Sequence, residues 1–311
     1  MTESFQVFDR RAVRRHRDRA APSLGQFDGL LSEVATRLAD RLNDVKRRFP
    51  WALDLGCHTG GFARAASGLG GIETLVQSDL SPAMARAAAR NGQPSLAADE
   101  EWLPFAPESF DLIASVLSLH WVNDLPGALI QIRQALRPDG LFLAALLGGE
   151  TLHELRAALT QAEIESRGGA SPRVSPFVDL PDAGALLQRS GFALPVVDRD
   201  RITASYSGAL ALLRELRGLG ESNAVLGRSR DFAPRNTLLR AAALYEQRHA
   251  DAEGRIPATF DVIFLTAWVP HESQQQPLRP GSATHRLADA LGSPEQALPD
   301  KARPGSKDPA R

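Results

Sequence analysis

The sequence holds one cysteine, Cys57, among 311 residues. No intrachain disulfide can form, and no cluster of thiolates can hold a metal. Net charge is nearly absent as well, because 36 Lys and Arg face 37 Asp and Glu. The chain as a whole exerts no pull toward nucleic acid, and no nucleic-acid partner is expected. No apolar run approaches the roughly 18 residues that a membrane-spanning helix needs. The longest, Leu141 to Leu147, has the length of a strand; peripheral contact with a membrane stays open. The first ten residues, MTESFQVFDR, contain no apolar signal region. Arginines crowd the stretch Arg10 to Arg19, but Glu3, Asp9 and Asp18 accompany them, unlike an organelle presequence. One cysteine suits a reducing compartment, and the expected setting is the bacterial cytoplasm.

No internal repeat is present. Hydrophobic residues make up 43% of the chain, enough for a sizeable core. Residues 1–26 read as a basic N-terminal arm, either a helix packing Phe5, Val7, Phe8 and Val13 on the domain or a lid. Leu30, Leu31, Val34, Leu38, Leu42 and Val45 have helical spacing up to Pro50. Trp51 to Leu55 is then a short apolar strand, followed by glycines and a helix over Phe62 to Leu69. The unit recurs: Glu73 to Gln77 is a strand, and Ser81-Pro82 opens a helix over Ala83 to Arg90. Ser95 to Ala98, Phe110 to Val116 and Leu141 to Leu147 complete a βα alternation, which implies a doubly wound parallel sheet of Rossmann-like α/β class. Beyond Gly149 the spacing predicts helices over Glu150 to Arg167, Asp182 to Ser190, Ser207 to Leu219 and Thr237 to Arg248. Phe192 to Ser205 and Thr259 to Trp268 have strand character. The domain is expected to span 27–286, with a tail over 287–311 disordered from about Gly292.

Glycines after a first strand mark the usual small-molecule site of such a sheet. A dinucleotide site needs G-x-G-x-x-G and a helix N-terminus aimed at pyrophosphate. This chain offers Gly56, Gly60 and Gly61, with Cys57 and His58 between them and Asp54 inside the strand. A carboxylate there repels pyrophosphate and suits a ligand with an ammonium and a sulfonium group. S-adenosyl-L-methionine has both. Asp79, ending the second strand, is placed to accept both ribose hydroxyls. Asp99, or its neighbour Glu100, is placed to accept from the adenine amino group, with Leu80 and Trp102 as apolar walls. Ser115 lies at the end of the fourth strand, where the transferred methyl is expected.

Asp54-x-Gly56-Cys57-x-x-Gly60, Trp102 to Phe105, Ser109 to Leu112 and Leu136 to Gly140 resemble the class I methyltransferases, and among them the malonyl-carrier-protein methyltransferases of biotin synthesis. A longer set resembles the complex I assembly factor 5 family. It comprises Val7 to Arg10, Ser118 to Pro126, Gly149 to Arg156, Ser171-Pro172 with Ser175 to Phe177, Gly220 to Asn223, Pro257 to Thr259 and His271 to Ser273. The resemblance spans about residues 5 to 286. It implies a seven-strand methyltransferase sheet with an antiparallel final strand and helical insertions roofing the site. It also implies a protein substrate, a hydrophilic subunit of respiratory complex I. The family commonly has glycine where this chain has His58.

Methyl transfer needs little beyond in-line placement of a nucleophile. His120 is the titratable group of the segment Ser115 to Asp124 and the candidate general base. Tyr206, His153, Arg173 and Asn223 are candidates to line the acceptor pocket. The mitochondrial member of the resembled family is associated with arginine hydroxylation, a reaction that usually needs iron on two histidines and a carboxylate. His153-Glu154, with the distant His120 or His271, could form such a site only by folding, and no metal is expected. Three functions follow: a methyltransferase in complex I assembly, an arginine hydroxylase using the same pocket, or a non-catalytic cofactor-binding scaffold.

Overall fold

The computed structural model describes residues 6–231, 234–275, 282 and 285–294. Two compact units divide the chain, Met1–Glu272 and Ser273–Arg311. The first contains every strand among the described residues. In the second, Leu287–Leu291 form a short helix; beyond Pro294 the tail expected to be disordered lies outside the described residues.

The first unit opens with helix α1 (Arg10–Ala20), capped by Asp9, whose carboxylate accepts from the Ala12 amide. Helix α2 (Gly29–Asp40) follows and passes into a 3-10 turn at Arg41, so the single helix expected up to Pro50 is divided. Strand β1 (Trp51–Leu55), helix α3 (Gly61–Ala65), strand β2 (Thr74–Asp79), helix α4 (Pro82–Ala88) and strand β3 (Ser95–Ala97) are the first βαβαβ half. Helix α3 is shorter than its apolar spacing suggests, because Gly68, Gly70 and Gly71 all take left-handed φ values. Strand β4 (Phe110–Val116), helix α5 (Leu125–Ala135) and strand β5 (Leu136–Leu147) complete the parallel part. Helices α6 (His153–Arg167) and α7 (Leu180–Arg189), strand β6 (Ala193–Tyr206), helices α8 (Ala209–Leu219) and α9 (Arg235–His249) and strand β7 (Ile256–Trp268) finish the unit.

The sheet has seven strands in the order β3-β2-β1-β4-β5-β7-β6. Only β7 runs against the others, pairing antiparallel with both β5 and β6. This is the expected doubly wound α/β class with its reversed final strand. Period-2 alternation sorts side chains between two cores. Ala52, Leu112, Ala114, Leu141 and Leu143 face the side covered by α2, α6, α8 and α9. Leu53, Ile113, Phe142, Ala144 and Leu146 face α5 and α7. The strand order reverses between β1 and β4, so the carboxyl end of β1 is the switch point at which such sheets bind ligands.

Candidate functional site

Asp54 lies one residue before the end of β1, paired in register with Gln77 on β2 and Ala114 on β4. It is fully buried, and neither carboxylate oxygen has a hydrogen-bond partner. Burial, followed by the nearby Asp79 charge, pushes its carboxyl up to about 8. The loop after it is pinned to β2, since the Gly56 and Cys57 amides donate to the Ser78 carbonyl at 2.8 and 2.9 Å. Gly56 has φ +71°, and a Cβ there would lie 2.0 Å from Ser118 Oγ. Gly60, at φ +79°, would meet Asn91 at 2.1 Å. Neither position admits a side chain.

His58 takes φ +50°, a left-handed conformation that costs an L-residue about 1 kcal/mol. Glycine at this place carries no such cost. The histidine gains a bond instead, with Nε2 3.1 Å from the Val116 carbonyl, while Nδ1 is buried without a partner. Burial first, then the Arg17 charge, hold its pKa below the usual value. Its backbone amide donates to Asp79 Oδ2 at 3.0 Å. The neighbouring Cys57 is buried, and burial pushes its thiol well above the ordinary range, so it is not a ready nucleophile.

The acids at the next two strand ends are in a different situation. Asp79 and Glu100 are fully buried, and α1 delivers Arg17 between them. Arg17 Nη1 is 2.9 Å from Glu100 and 3.5 Å from Asp79, and Nη2 donates to Ser118 Oγ at 2.8 Å. Arg10, one end of the helix away, reaches Asp99 at 2.5 Å and also pairs with Glu100. Burial alone raises the Glu100 carboxyl, but Arg17 and Arg10 outweigh it and hold it down at about 2. The arm is also strapped across the segment after β4. Asn123 accepts from the Val7 and Phe8 amides, and Phe8 bridges to Val225. Phe8, Ala12 and Val13 pack there with Trp121, Ala224 and Val225.

His120 lies in that segment, in a 3-10 turn over Leu119–Trp121. Its Nε2 is 3.2 Å from Glu221 Oε2, which also accepts from Trp121 Nε1 at 2.9 Å. Its Nδ1 is buried without a partner. Burial raises the Glu221 carboxyl, yet the His120 and Arg17 charges leave it below its ordinary value. Glu221 and Trp121 line a cavity of about 260 Å³, which also touches Leu117, Arg173 and Asn223. A much smaller space, about 10 Å³, lies around Asp54, Cys57, His58 and Gly61. Leu31 of α2 borders both.

Asp54, Cys57 and His58 thus meet at one space, and Asp79 joins them through the His58 amide. Glu100 rather than Asp99 is the buried acid of the third strand end. Ser115 is turned away from the loop surface, because its hydroxyl donates to the Leu55 carbonyl between β1 and β4. Trp102 is 78% exposed and walls nothing, while Leu80 packs with the N-terminal arm. Tyr206 donates to Glu215, and His153 folds back on the Glu150 carbonyl; neither lines the larger cavity. Arg10, Ser118 and Glu221 stood in family motifs without a role assigned to them, and Arg17 stood in none. Arg17 had a signal: it falls on the apolar stripe Val13, Arg17, Ala20, Leu24, where an arginine stays only if paired. Among the described residues, no three His, Cys, Asp or Glu side chains form a metal-holding group.

The donor set around the loop fits a cofactor with a cationic amino-acid end. A buried carboxylate without a partner can accept an ammonium. Residues 53–144 match the Methyltransferase domain family. The fold is that of the YcgJ protein of Bacillus subtilis, with TM-score 0.54 at 15% identity over 75% of this chain and 98% of that one. These observations define a methyltransferase fold.

Within that class, Arginine-hydroxylase NDUFAF5, mitochondrial, of Danio rerio is 43% identical over 92% of this chain and 90% of its own length. The Homo sapiens protein of that name is 42% identical over 98% and 87%. Malonyl-[acyl-carrier protein] O-methyltransferase of Halorhodospira halophila is 36% identical over 85% and 89%. The chain belongs to the methyltransferase-fold family that includes NDUFAF5. These mitochondrial, eukaryotic relatives overturn the expected bacterial cytoplasmic setting. One cysteine is compatible with any reducing compartment, so composition could not separate them. Among the described residues, no helix is long and apolar enough to cross a membrane.

Proposed function

We propose that this chain is an S-adenosylmethionine-dependent enzyme that modifies a protein during assembly of respiratory complex I, with methyl transfer as its reaction. The observation that carries the cofactor part is the buried Asp54 carboxylate, both of whose oxygens lack a partner. Asp54 receives the cofactor's ammonium, Gly56, Cys57, His58 and Gly60 present the loop backbone, and Asp79 serves the ribose side. Glu100 and Asp99 stand at the adenine side with Arg17 and Arg10. S-adenosylmethionine, when bound, supplies a methyl already activated on its sulfonium. The protein's part is then placement and, where the acceptor carries a proton, its removal.

His120 is the proposed base. Glu221 accepts at Nε2, which keeps the proton on that nitrogen and leaves Nδ1 to take another. Glu221 positions the ring, and Trp121 positions Glu221. His120→Gln is expected to lower kcat with cofactor affinity unchanged; equal loss in both would remove His120 from the chemistry.

Arginine hydroxylation is the second reading, favoured by the name of the relatives at 42 and 43% identity. The residues described do not form an iron site of the two-histidine, one-carboxylate kind. The experiment is incubation with labelled S-adenosylmethionine and a hydrophilic complex I subunit, read by mass spectrometry of the product. A gain of one methylene supports methyl transfer, a gain of one oxygen on arginine supports hydroxylation, and tight binding without product supports a scaffold.

A further inference from the structure

Apart from Trp121 and Glu221, the larger cavity is built of residues that neither the cofactor loop nor the acid network uses. Its wall is mainly leucine, with Leu152, Leu155 and Leu159 on one side and Leu213, Leu216 and Leu219 of α8 on the other. Its volume of about 260 Å³ exceeds the roughly 150 Å³ that holds a benzene ring, and at that ratio it accommodates about ten carbons. A protein side chain with a polar end has little use for so much aliphatic wall.

The rim is cationic. Arg217, on α8, lines the cavity, and no hydrogen bond or ion pair engages its guanidinium among the described residues. Arg19 reaches the same rim by donating to Ser222 Oγ at 3.1 Å, and among the described residues it meets no carboxylate. Desolvation and then the Arg217 charge push the Arg19 guanidinium below its ordinary value. Two neighbouring like charges without a counter-ion repel each other, and an anion between them removes the repulsion. The other charged groups at the wall are already matched. Glu163 neutralises Arg173, and Glu221 is held by His120 and Trp121 beside Arg17.

We infer that this cavity binds a single-chain amphipathic anion, its tail of about ten carbons among the leucines and its head between Arg217 and Arg19. The site is separate from the cofactor loop, so cofactor binding at Asp54 and anion binding here can fail independently.

The test is calorimetric titration of the full chain with decanoate, decyl phosphate and decanol. At least one of the two anions is expected to bind, the tighter naming the head as carboxylate or phosphate, with decanol weaker than either by about fivefold or more. Affinity should rise roughly fourfold per methylene from hexanoate to decanoate and stop rising near ten carbons. Arg217→Gln, on an exposed position that folding does not need, should weaken decanoate about fivefold and leave decanol unchanged. Leu159→Trp, which fills the cavity, should abolish both, with a thermal melt to show that it folds. Decanol binding as tightly as decanoate, an unchanged Arg217→Gln, or no binding of either anion at millimolar concentration would overturn the inference.

Discussion

Asp54, on β1, and Glu100, just after β3, are two carboxylates on either side of β2, both fully buried, yet the protein treats them in opposite ways. Asp54 has no partner and is pushed up to about 8. Glu100 meets Arg17, Arg10 and Ser118 and is held down at about 2. Burial is the same; counter-charge is the difference. An acid without counter-charge is ready for a cation from outside, while a neutralised acid ties the chain to itself. In the proposed placement of the cofactor, the methionine side of the site is therefore the open half. The adenosine side is where the N-terminal helix is fastened, and the same arm continues to the Ala224–Val225 segment beside Glu221. One element thus touches both the buried acids at the strand ends and the wall of the larger cavity.

The strongest way to break this comparison is to remove the counter-charge. Arg17→Ala leaves Glu100 with Arg10 alone and Asp79 without a cation, and is expected to cost about 3–5 kcal/mol of stability. Urea unfolding reads it as a fall in midpoint with an unchanged slope. The double change Arg17→Met with Glu100→Gln removes that pair together and should recover part of the loss, the remainder belonging to Asp79, still without its cation. The acid side has a definite sign. The depressed Glu100 carboxyl contributes stability that is fully present above its ordinary 4.5 and is lost as pH falls toward about 2. A midpoint that does not move in Arg17→Ala would mean that the network holds nothing.

How much of this was legible depended on which interactions were local. The glycine loop, the acid inside β1 and the βα alternation are short-range patterns, and the sheet followed from them. The reversed β7 was implied by resemblance, not by periodicity, since Thr259 to Trp268 has no signal for direction. Asp54 was readable because its role is to have no partner. Arg17 was harder, because its partners lie 62 and 83 residues away in sequence. Only its place on the apolar stripe of α1 betrayed it. Ser115 and Trp102 were misplaced for the opposite reason: strand position says where a residue stands, but not that the Leu55 carbonyl takes the serine hydroxyl or that the indole faces solvent. Glu221 lay in a motif that marked the family without showing what it touches.

The open half is tested by neutralising its acid without changing its shape. Asp54→Asn should weaken S-adenosylmethionine by about 1.5–3 kcal/mol, the range for a hydrogen bond to a charged group. Its stability at pH 8 should not fall, because the change removes a buried acid that no cation balances. Calorimetry and a thermal melt on the same sample separate the two effects. Loss of stability without loss of affinity would make Asp54 a structural acid like Glu100 and erase the comparison.

A gentler test leaves the sequence alone. With its value raised to about 8, folded Asp54 keeps its proton at pH 6–7, where an unfolded aspartate has lost it. Its contribution to stability is therefore most favourable below the ordinary 3.8 and declines as pH rises toward 8, opposite in slope to that of Glu100. Holding the cofactor's ammonium requires the ionised form, so binding at pH 6.5 should release about one proton and affinity should rise about tenfold per pH unit toward 8. Titration in buffers of different ionisation enthalpy counts that proton, and in Asp54→Asn both the release and the slope should vanish. A pH-independent affinity in the unaltered protein would place the ammonium on some other group.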